Sequence, residues 1–248
     1  MSAPSPRTDE EFFRWNEDMA SKYNPDAYHE SSNIVVRWIE QRRVQRIKRF
    51  LNAQPDHRVL EVGVGAGNIL AQIPSRNRSG LDLSPSLLEM ARRRLPDVQL
   101  YEGDAEQFPL ELRKQTFDRV FCSEVLEHVR HPERVVREMA NVLAPRGIVV
   151  ISVPNEKFIN AVKGLLLKFR IFTMLFPGIS LKMDDEWHLH SFDRKLLQKT
   201  VGDALVIERI DAVPFEWFPI RLVSRLHAHE RRVTSSASSD EDTSGNRE

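Results

Sequence analysis

The 248-residue sequence predicts an α/β domain with a doubly wound, mostly parallel sheet, an N-terminal helical cap and a lid inserted after the fifth strand. Three observations predict this class. Short apolar runs alternate with amphipathic stretches from residue 58 onward, which is typical of parallel strands joined by helices. The first apolar run ends in a glycine-rich turn. Residues 155–187 then interrupt the alternation before it resumes.

Changes in composition divide the chain into three parts. Residues 1–54 form the predicted cap, and residues 55–230 form the α/β domain with its insertion at about 155–187. Residues 231–248 are charged and rich in Ser and Thr, with almost nothing to bury, so we expect a disordered tail.

The elements follow from apolar periodicity and from capping residues. Two helical stretches between Glu11 and Leu51 make up the cap. Ser84 and Pro85 are a typical N-cap and first-turn pair for the helix after the second strand. The predicted strands are about 58–62, 79–83, 98–102, 117–122, 148–153 and 205–213, and the predicted helices about 67–73, 86–95, 132–143 and 193–202.

Composition favours a cytoplasmic enzyme. Lys+Arg and Asp+Glu both number 36, so the formal net charge is zero and no global field recruits nucleic acid. The single cysteine, Cys122, cannot form an intrachain disulfide, which fits a reducing compartment. The N-terminus lacks the pattern of a signal peptide, and no apolar run approaches the roughly 20 residues of a membrane span.

The turn after the first strand is the strongest candidate binding element. Glu61 ends the strand, and Gly63, Gly65 and Gly67 follow at alternate positions. Glycines there allow a sharp turn and leave the backbone open to a ligand. Such turns often bind dinucleotides, but a pyrophosphate would meet like charge at Glu61, whereas a cationic ligand is favoured there.

Polar residues also lie at the ends of the next three strands. Asp82, with Leu83 beside it, ends the second strand, where an acid can accept hydrogen bonds from both ribose hydroxyls. Asp104 and Ala105 follow the third, where a carboxylate and a backbone N–H can meet an adenine ring. Ser123 follows the fourth. Each acid alone could be a helix cap, but together they favour one ligand site beyond the carboxyl ends of the strands.

These segments resemble the successive motifs of class I S-adenosylmethionine (SAM)-dependent methyltransferases, which have a Rossmann-like fold. The quoted segments are Val-Leu-Glu-Val-Gly-Val-Gly-Ala-Gly, Gly-Leu-Asp-Leu-Ser, Glu-Gly-Asp-Ala-Glu-Gln-Phe-Pro, Phe-Asp-Arg-Val-Phe-Cys-Ser-Glu-Val-Leu-Glu-His-Val and Leu-Ala-Pro-Arg-Gly-Ile-Val-Val-Ile-Ser-Val-Pro-Asn. The resemblance implies that Glu61 and the glycines hold the methionine end of SAM and Asp82 the ribose. It also implies that Asp104 and Ala105 hold the adenine, with Ser123 beneath the sulfonium.

Arg37 is a further cofactor candidate. The stretch Ser31-Ser-Asn-Ile-Val-Val-Arg37 resembles an Asn…Arg element of the ubiquinone-type O-methyltransferases, in which the arginine reaches the methionine carboxylate. On a helix this rich in arginine, a solvated surface charge is the alternative.

The acceptor side is predicted from a Glu-x-x-Glu-His cluster and a His-x-His pair. If helical, Glu124, Glu127 and His128 share one face. Resemblance to ubiquinone-type O-methyltransferases implies a divalent cation such as Mg²⁺ there; an acidic first turn of a helix and His128 as a metal-free base are the alternatives. On an extended segment His188 and His190 would lie on one side. One of them could be a base or an additional metal ligand, and a polar loop is the alternative.

The insertion is apolar and basic over Phe158–Leu181. It predicts a lid helix over the pocket or an interfacial segment, at about 157–182, that contacts a bilayer with anionic headgroups. In the ubiquinone-type O-methyltransferases an insertion at this point is linked to membrane contact and to a lipid-tailed substrate.

The predicted function is SAM-dependent methylation of a small hydrophobic or lipid-like acceptor, in the cytoplasm or at the inner face of a membrane. The Asn/Asp-Pro-Pro-Tyr segment of amino-methylating adenine and glutamine enzymes is absent after the fourth strand, which favours oxygen, or carbon, as the acceptor atom. A hydroxyl acceptor needs a base.

The alternatives are an RNA-end methyltransferase and a non-catalytic SAM-binding subunit. The neutral charge and the lack of an evident basic aromatic groove count against RNA. Glu61 and the glycine spacing oppose a nicotinamide oxidoreductase.

Overall fold

A seven-stranded sheet forms the centre of the structure, a computed structural model that describes residues 8–23, 33–168 and 187–229. Its strands are β1 (Arg58–Val62), β2 (Asn77–Asp82), β3 (Gln99–Glu102), β4 (Phe117–Ser123), β5 (Leu143–Pro154), β6 (Val206–Phe215) and β7 (Phe218–His227). Their order is β3-β2-β1-β4-β5-β7-β6. The strands β1 to β5 are parallel, whereas β7 is antiparallel to both β5 and β6. The predicted doubly wound, mostly parallel sheet is confirmed.

Helices pack on both faces of the sheet. The described helices are α1 (Asp9–Tyr23), α2 (Ile34–Leu51), α3 (Pro85–Arg94), α4 (Leu110–Arg113), α5 (Pro132–Asn141), α6 (Glu156–Lys168) and α7 (Arg194–Val201). Capping residues explain where they begin: Asn33 accepts from the first turn of α2, and the Ser84 hydroxyl accepts from the Leu87 N–H in α3. Within the described ranges, no helix is long and apolar enough to cross a membrane.

Alternation along the strands builds two cores. On β1, Leu60 belongs to the apolar cluster that also contains residues of α5 and α7, whereas Val59 belongs to the cluster that contains residues of α2 and α3. The single cysteine, Cys122, lies in the first cluster as a buried free thiol. Because both faces are covered, the carboxyl edge of the parallel strands remains as the place for a ligand.

Three elements differ from the sequence-based expectation. The helix predicted at 67–73 is a single 3-10 turn at Leu70–Gln72, since Pro74 disfavours helical geometry at the residue before it. Residues 144–147, which lie between the predicted helix at 132–143 and the predicted strand at 148–153, are part of β5; the register shifts there and Arg146 adopts a left-handed conformation. The strand β7 was not predicted, and it returns antiparallel between β5 and β6.

The cap and insertion are partly described. The helices α1 and α2 correspond to the two predicted cap helices, and α6 occupies the first part of the predicted insertion. Residues 169–186 of that insertion and the tail predicted at 231–248 lie outside the described residues.

Candidate active site

A cavity of about 490 Å³ opens beyond the carboxyl ends of β1 to β4. Residues of α1, α2, α6 and β7 close its sides. Twelve of the residues predicted for the site line it: Glu61, Gly63, Gly65, Asp82, Leu83, Asp104, Ala105, Ser123, Glu124, Glu127, His128 and His188. The structure does not bring Gly67, Arg37 or His190 to its wall.

The glycine-rich turn forms a bare cradle at the end of β1. Gly63 and Gly65 both have positive φ, which favours glycine. A Cβ at Gly63 would lie 2.1 Å from Val125 Cγ2, so this glycine allows close packing against the loop after β4. A Cβ at Gly65 would meet nothing within 4 Å, because that residue faces the open cavity. Gly67 packs against Leu95 instead.

Two carboxylates stand beside this cradle. Asp82 accepts hydrogen bonds from the Gly65 N–H (2.7 Å) and the Ser84 N–H (2.9 Å), so its orientation is fixed by both turns. Glu61 accepts from the Leu70 N–H (3.0 Å) and is buried. Burial raises the pKa of Asp82 and raises that of Glu61 well above its ordinary value, with the nearby Asp82 charge adding to the shift at Glu61.

The third strand end carries Asp104. Its Oδ1 accepts from the Glu106 N–H (2.7 Å), and burial raises its pKa. Arg130 Nη2 lies 3.9 Å from the other oxygen of Asp104 and 2.8 Å from Asp9 in α1. Its guanidinium also lies over the ring of Phe12, which lines the cavity. Arg130, which sequence reasoning missed, therefore joins the α1 wall to the end of β3.

Arg43 is the arginine of α2 that lines the cavity. It is 4% exposed, and it donates to Glu40 through Nε (2.9 Å) and to the hydroxyl of Ser123. Arg37 is exposed and lines a second, smaller cavity instead. The helical spacing of the buried residues of α2 could have identified Arg43 from the sequence, because Arg43 lies on the same face of the helix as they do.

The loop after β4 places two predicted acids in different surroundings. Glu124 forms an ion pair with Arg221 Nε at 2.8 Å and accepts from the Ser152 hydroxyl at 3.2 Å. Glu127 is 1% exposed, and neither of its carboxylate oxygens has a hydrogen-bond partner among the described residues. Burial and then the charge of Glu124 raise the pKa of Glu127 well above its ordinary value.

Two imidazoles complete this end of the cavity. His128 Nδ1 donates to the Trp187 carbonyl (3.3 Å), and its pKa is lowered well below the ordinary value by burial and by His188. His188 Nδ1 donates to a carboxylate oxygen of Glu156 at 2.7 Å, with both side chains buried. Glu156 begins α6 and was not predicted from sequence, where no motif marks it.

A set of possible metal ligands forms here, but it differs from the predicted one. The ligand atoms of Glu127, His128 and His188 lie within 4.8 Å of one another, whereas Glu124 is directed to Arg221. His190 donates through Nε2 to the carbonyls of residues 129 (2.9 Å) and 130 (3.2 Å). The two histidines of the His-x-His pair therefore do different things: His188 faces the cavity and His190 fixes the backbone.

Comparison with known proteins finds similarity to methyltransferases. Residues 60–151 match the family model described as a methyltransferase domain. The ubiquinone biosynthesis O-methyltransferase of Paracidovorax citrulli is 33% identical over 158 residues, 59% of this chain and 61% of that protein. The demethylmenaquinone methyltransferase of Renibacterium salmoninarum is 30% identical over 139 residues, 55% of each. These matches thus cover less than two thirds of the relatives' length.

Solved structures share the fold at low sequence identity. The N-methyltransferase NodS of Bradyrhizobium japonicum in complex with S-adenosylhomocysteine superposes with a TM-score of 0.61 at 15% identity, covering 88% of this chain and 98% of that one. Magnesium protoporphyrin IX methyltransferase of Synechocystis also has S-adenosylhomocysteine bound. It superposes with a TM-score of 0.60 at 17% identity, covering 85% of this chain and 97% of that one. Residues 60–151 are therefore similar to a methyltransferase domain, and the chain has the fold of the class I SAM-dependent methyltransferases.

Proposed function

We propose that this cavity binds SAM and transfers its methyl group to an oxygen atom of a small apolar acceptor. The observation that carries the proposal is the convergence of Glu61, Asp82, Asp104 and Ser123 on one cavity, at the ends of four adjacent strands. SAM supplies a methyl group on a positively charged sulfur, and in an in-line displacement the CH₃–S bond breaks, leaving its electron pair on sulfur, as the O–CH₃ bond forms.

The residues of the cradle suit this cofactor. Gly65 leaves room for a ligand against the backbone, where a Cβ would project into the cavity. Asp82, already oriented by two N–H groups, would accept from the ribose hydroxyls, and Asp104 would accept from the adenine amino group. Glu61 would face the cationic methionine end. These roles rest on position at the strand ends and on the solved relatives that hold S-adenosylhomocysteine.

The remaining wall suits an apolar acceptor. Val35 and Ile39 of α2, Ile159 and Val162 of α6, and Phe218 of β7 line it. An apolar wall excludes water and holds the acceptor near the reacting atoms. The names of the relatives, which refer to ubiquinone and menaquinone, are consistent with an apolar ring compound.

His188 is the proposed base for an acceptor hydroxyl. The Nδ1–H of His188 donates to Glu156 Oε1, with 2.7 Å between Nδ1 and the oxygen, and this fixes the tautomer that has its lone pair on Nε2. His188 also lines the cavity. Nε2 would take the hydroxyl proton as the oxygen attacks the methyl carbon. His128 donates its Nδ1–H to a carbonyl and stands beside His188, 4.8 Å between ring centres.

Two measurements test the proposed class. Calorimetry should show that the chain binds S-adenosylhomocysteine and does not bind NAD. Tight NAD binding would overturn the proposal. Labelled methyl transfer from SAM into a cell extract should place the label in the lipid-soluble small-molecule fraction. Label in RNA would favour an RNA methyltransferase, and cofactor binding without transfer to any fraction would favour a non-catalytic subunit.

The base is tested by Glu156→Gln. An amide there no longer stabilises the imidazolium that forms, so kcat should fall about 10- to 100-fold and its pH profile should shift, with little change in affinity for S-adenosylhomocysteine. His131→Gln, at an exposed histidine, is the matched control. Equal kcat in wild type and Glu156→Gln would mean that the Glu156 carboxylate does not support His188 as the base.

A divalent cation at the acceptor side is a second candidate, favoured by one observation. Glu127 presents two buried carboxylate oxygens that lack a hydrogen-bond partner among the described residues, beside two imidazoles. Glu127, His128 and His188 would hold the cation, which would lower the pKa of a bound acceptor hydroxyl and make His188 a ligand instead of a base.

Calorimetry with MgCl₂ and with MnCl₂, without substrate, tests this candidate. Glu127→Gln should abolish binding, whereas Glu133→Gln, at a more exposed acid, should leave it unchanged. Absence of binding to the wild type would remove the cation from the proposal.

A further inference from the structure

Five aromatic rings form a continuous row that reaches the cavity at Phe218. Ring centroids lie 5.7 Å apart for Trp38 and Phe215, 5.1 Å for Phe215 and Trp217, 5.9 Å for Trp217 and Phe218, and 5.1 Å for Phe218 and Phe158. We call these five residues the aromatic row. It joins α2, the turn between β6 and β7, and α6.

The aromatic row is exposed at its centre and enters the cavity at one point. Trp217 occupies the turn between β6 and β7 and is 76% exposed, and its ring is stacked on that of Phe215, which is also exposed. Phe218 lines the cavity. Exposed clusters of large apolar side chains are uncommon on surfaces that face only water.

A cluster of arginines continues the aromatic row along α2. The Arg42 guanidinium lies 5.2 Å from the ring centre of Trp38, and Arg46, one turn further on, pairs with Asp211. The pKa of Arg46 is lowered first by partial burial and then by the positive charges of Arg49 and Arg209, with Arg42 adding to the shift and the Glu216 carboxylate opposing it. Asp211 pairs with Arg46 and Arg209.

We propose that the aromatic row and these arginines form a docking surface for a lipid bilayer with anionic headgroups. Tryptophan concentrates at the membrane–water interface, and arginines near the surface are attracted to anionic lipid. The acid in the turn, Glu216, does not oppose this contact, because Arg194 lies 3.6 Å from its carboxylate. A projecting ring in a turn suits insertion into a soft surface, in contrast to a groove shaped for one partner.

This docking would bring the cavity wall at Phe218 close to the bilayer. Phe218 belongs both to the aromatic row and to the cavity wall, so an apolar molecule could pass from lipid to the cavity along aromatic surface. The surface differs from the membrane segment expected in the insertion, of which residues 169–186 lie outside the described residues.

Co-sedimentation of the full chain with vesicles tests the inference directly and needs no activity. We expect binding to phosphatidylcholine vesicles that contain phosphatidylglycerol, weaker binding to pure phosphatidylcholine, and loss of the difference at high salt. Trp217→Ser should lower the partition coefficient about tenfold or more. Arg42→Gln should lower it about fivefold, only when anionic lipid is present.

Leu110→Ser is the matched control, since Leu110 is 62% exposed and does not line the cavity. Circular dichroism checks that each variant is folded. If the wild type binds neither kind of vesicle, or if Trp217→Ser binds as well as the wild type, the inference is wrong. A dimer that is lost in Trp217→Ser, without vesicle binding, would assign the surface to a second copy of the chain. Methyl transfer can fail while these results hold, so the two proposals are tested separately.

Discussion

The guanidinium of Arg43 donates a hydrogen bond to the hydroxyl of Ser123, which joins the cap helix α2 to the end of β4 beside the cavity. The contact belongs to a largely buried set of alternating charges. Arg43 pairs with Glu40 on its own helix, and Arg221 of β7 pairs with Glu124 at 2.8 Å. Three elements that bound the site are therefore held by one electrostatic network.

Replacing Arg43 with Met should destabilise the chain strongly. Methionine fills a similar volume but leaves the buried Glu40 carboxylate without its closest cation, so we expect the free energy of unfolding to fall by about 3–5 kcal/mol. Urea denaturation measures this change. The affinity for S-adenosylhomocysteine should fall as well, because Ser123 loses its donor.

The control for this variant is Arg37→Met on the same helix. Arg37 is exposed, so its replacement should change the free energy of unfolding by no more than about 0.5 kcal/mol. Equal losses in the two variants would mean that the Arg43 network does not stabilise the cap.

Alanine at Gly63 and at Gly65 should have different effects. Both glycines have positive φ, which costs an alanine about 1–2 kcal/mol. A Cβ at Gly63 would also overlap Val125, and this overpacking should add roughly 1–3 kcal/mol to the loss of stability. A Cβ at Gly65 meets only open space, so Gly65→Ala should fold but bind S-adenosylhomocysteine weakly. Thermal unfolding and calorimetry separate the effects; normal binding by Gly65→Ala would place the cofactor elsewhere.

Asp82→Ala should weaken S-adenosylhomocysteine binding by at least about tenfold. The carboxylate would accept hydrogen bonds from the ribose, and each bond to a charged group contributes about 1.5–3 kcal/mol, where 1.4 kcal/mol corresponds to tenfold. Asp97→Ala, at an exposed aspartate after α3, is the matched control. If calorimetry gives the same affinity for both variants, the ribose assignment is wrong.

Patterns at strand ends made much of the cavity predictable. Parallel strands bring their carboxyl ends to one edge, so Glu61, Asp82 and Asp104 could be placed together from sequence spacing alone. The strand β7 escaped prediction because the turn at Glu216 and Trp217 lacks the Asn-Gly or Asp-Gly signal of a two-residue hairpin.

Side-chain direction was harder to predict than position along the chain. Arg37 and Arg43 lie on one helix, and a local motif does not say which of them faces the sheet. The His-x-His pair was expected to present both rings on one side, but the backbone bends there and only His188 lines the cavity. Glu156 approaches His188 from 32 residues away, a contact that depends on tertiary packing.

The burial of Glu61 predicts a stability difference that depends on pH. Burial raises the pKa of this carboxyl well above 4.5, the ordinary value that we take for the unfolded chain. Well below pH 4.5 the carboxyl is neutral in the folded and in the unfolded chain, so its ionisation does not change the free energy of unfolding. As the pH rises above 4.5, the unfolded chain releases the proton while the folded chain retains it, so the wild type loses stability until the folded pKa is reached.

Glu61→Gln cannot ionise and should still accept from the Leu70 N–H. Without ligand, its free energy of unfolding should exceed that of the wild type by an amount that grows with pH, by up to about 1.4 kcal/mol per pH unit within that window. Urea denaturation at a series of pH values measures the difference, with Glu111→Gln as the exposed control. A difference that stays constant from pH 4.5 upward would mean that the Glu61 carboxyl ionises as freely in the folded chain as in the unfolded one.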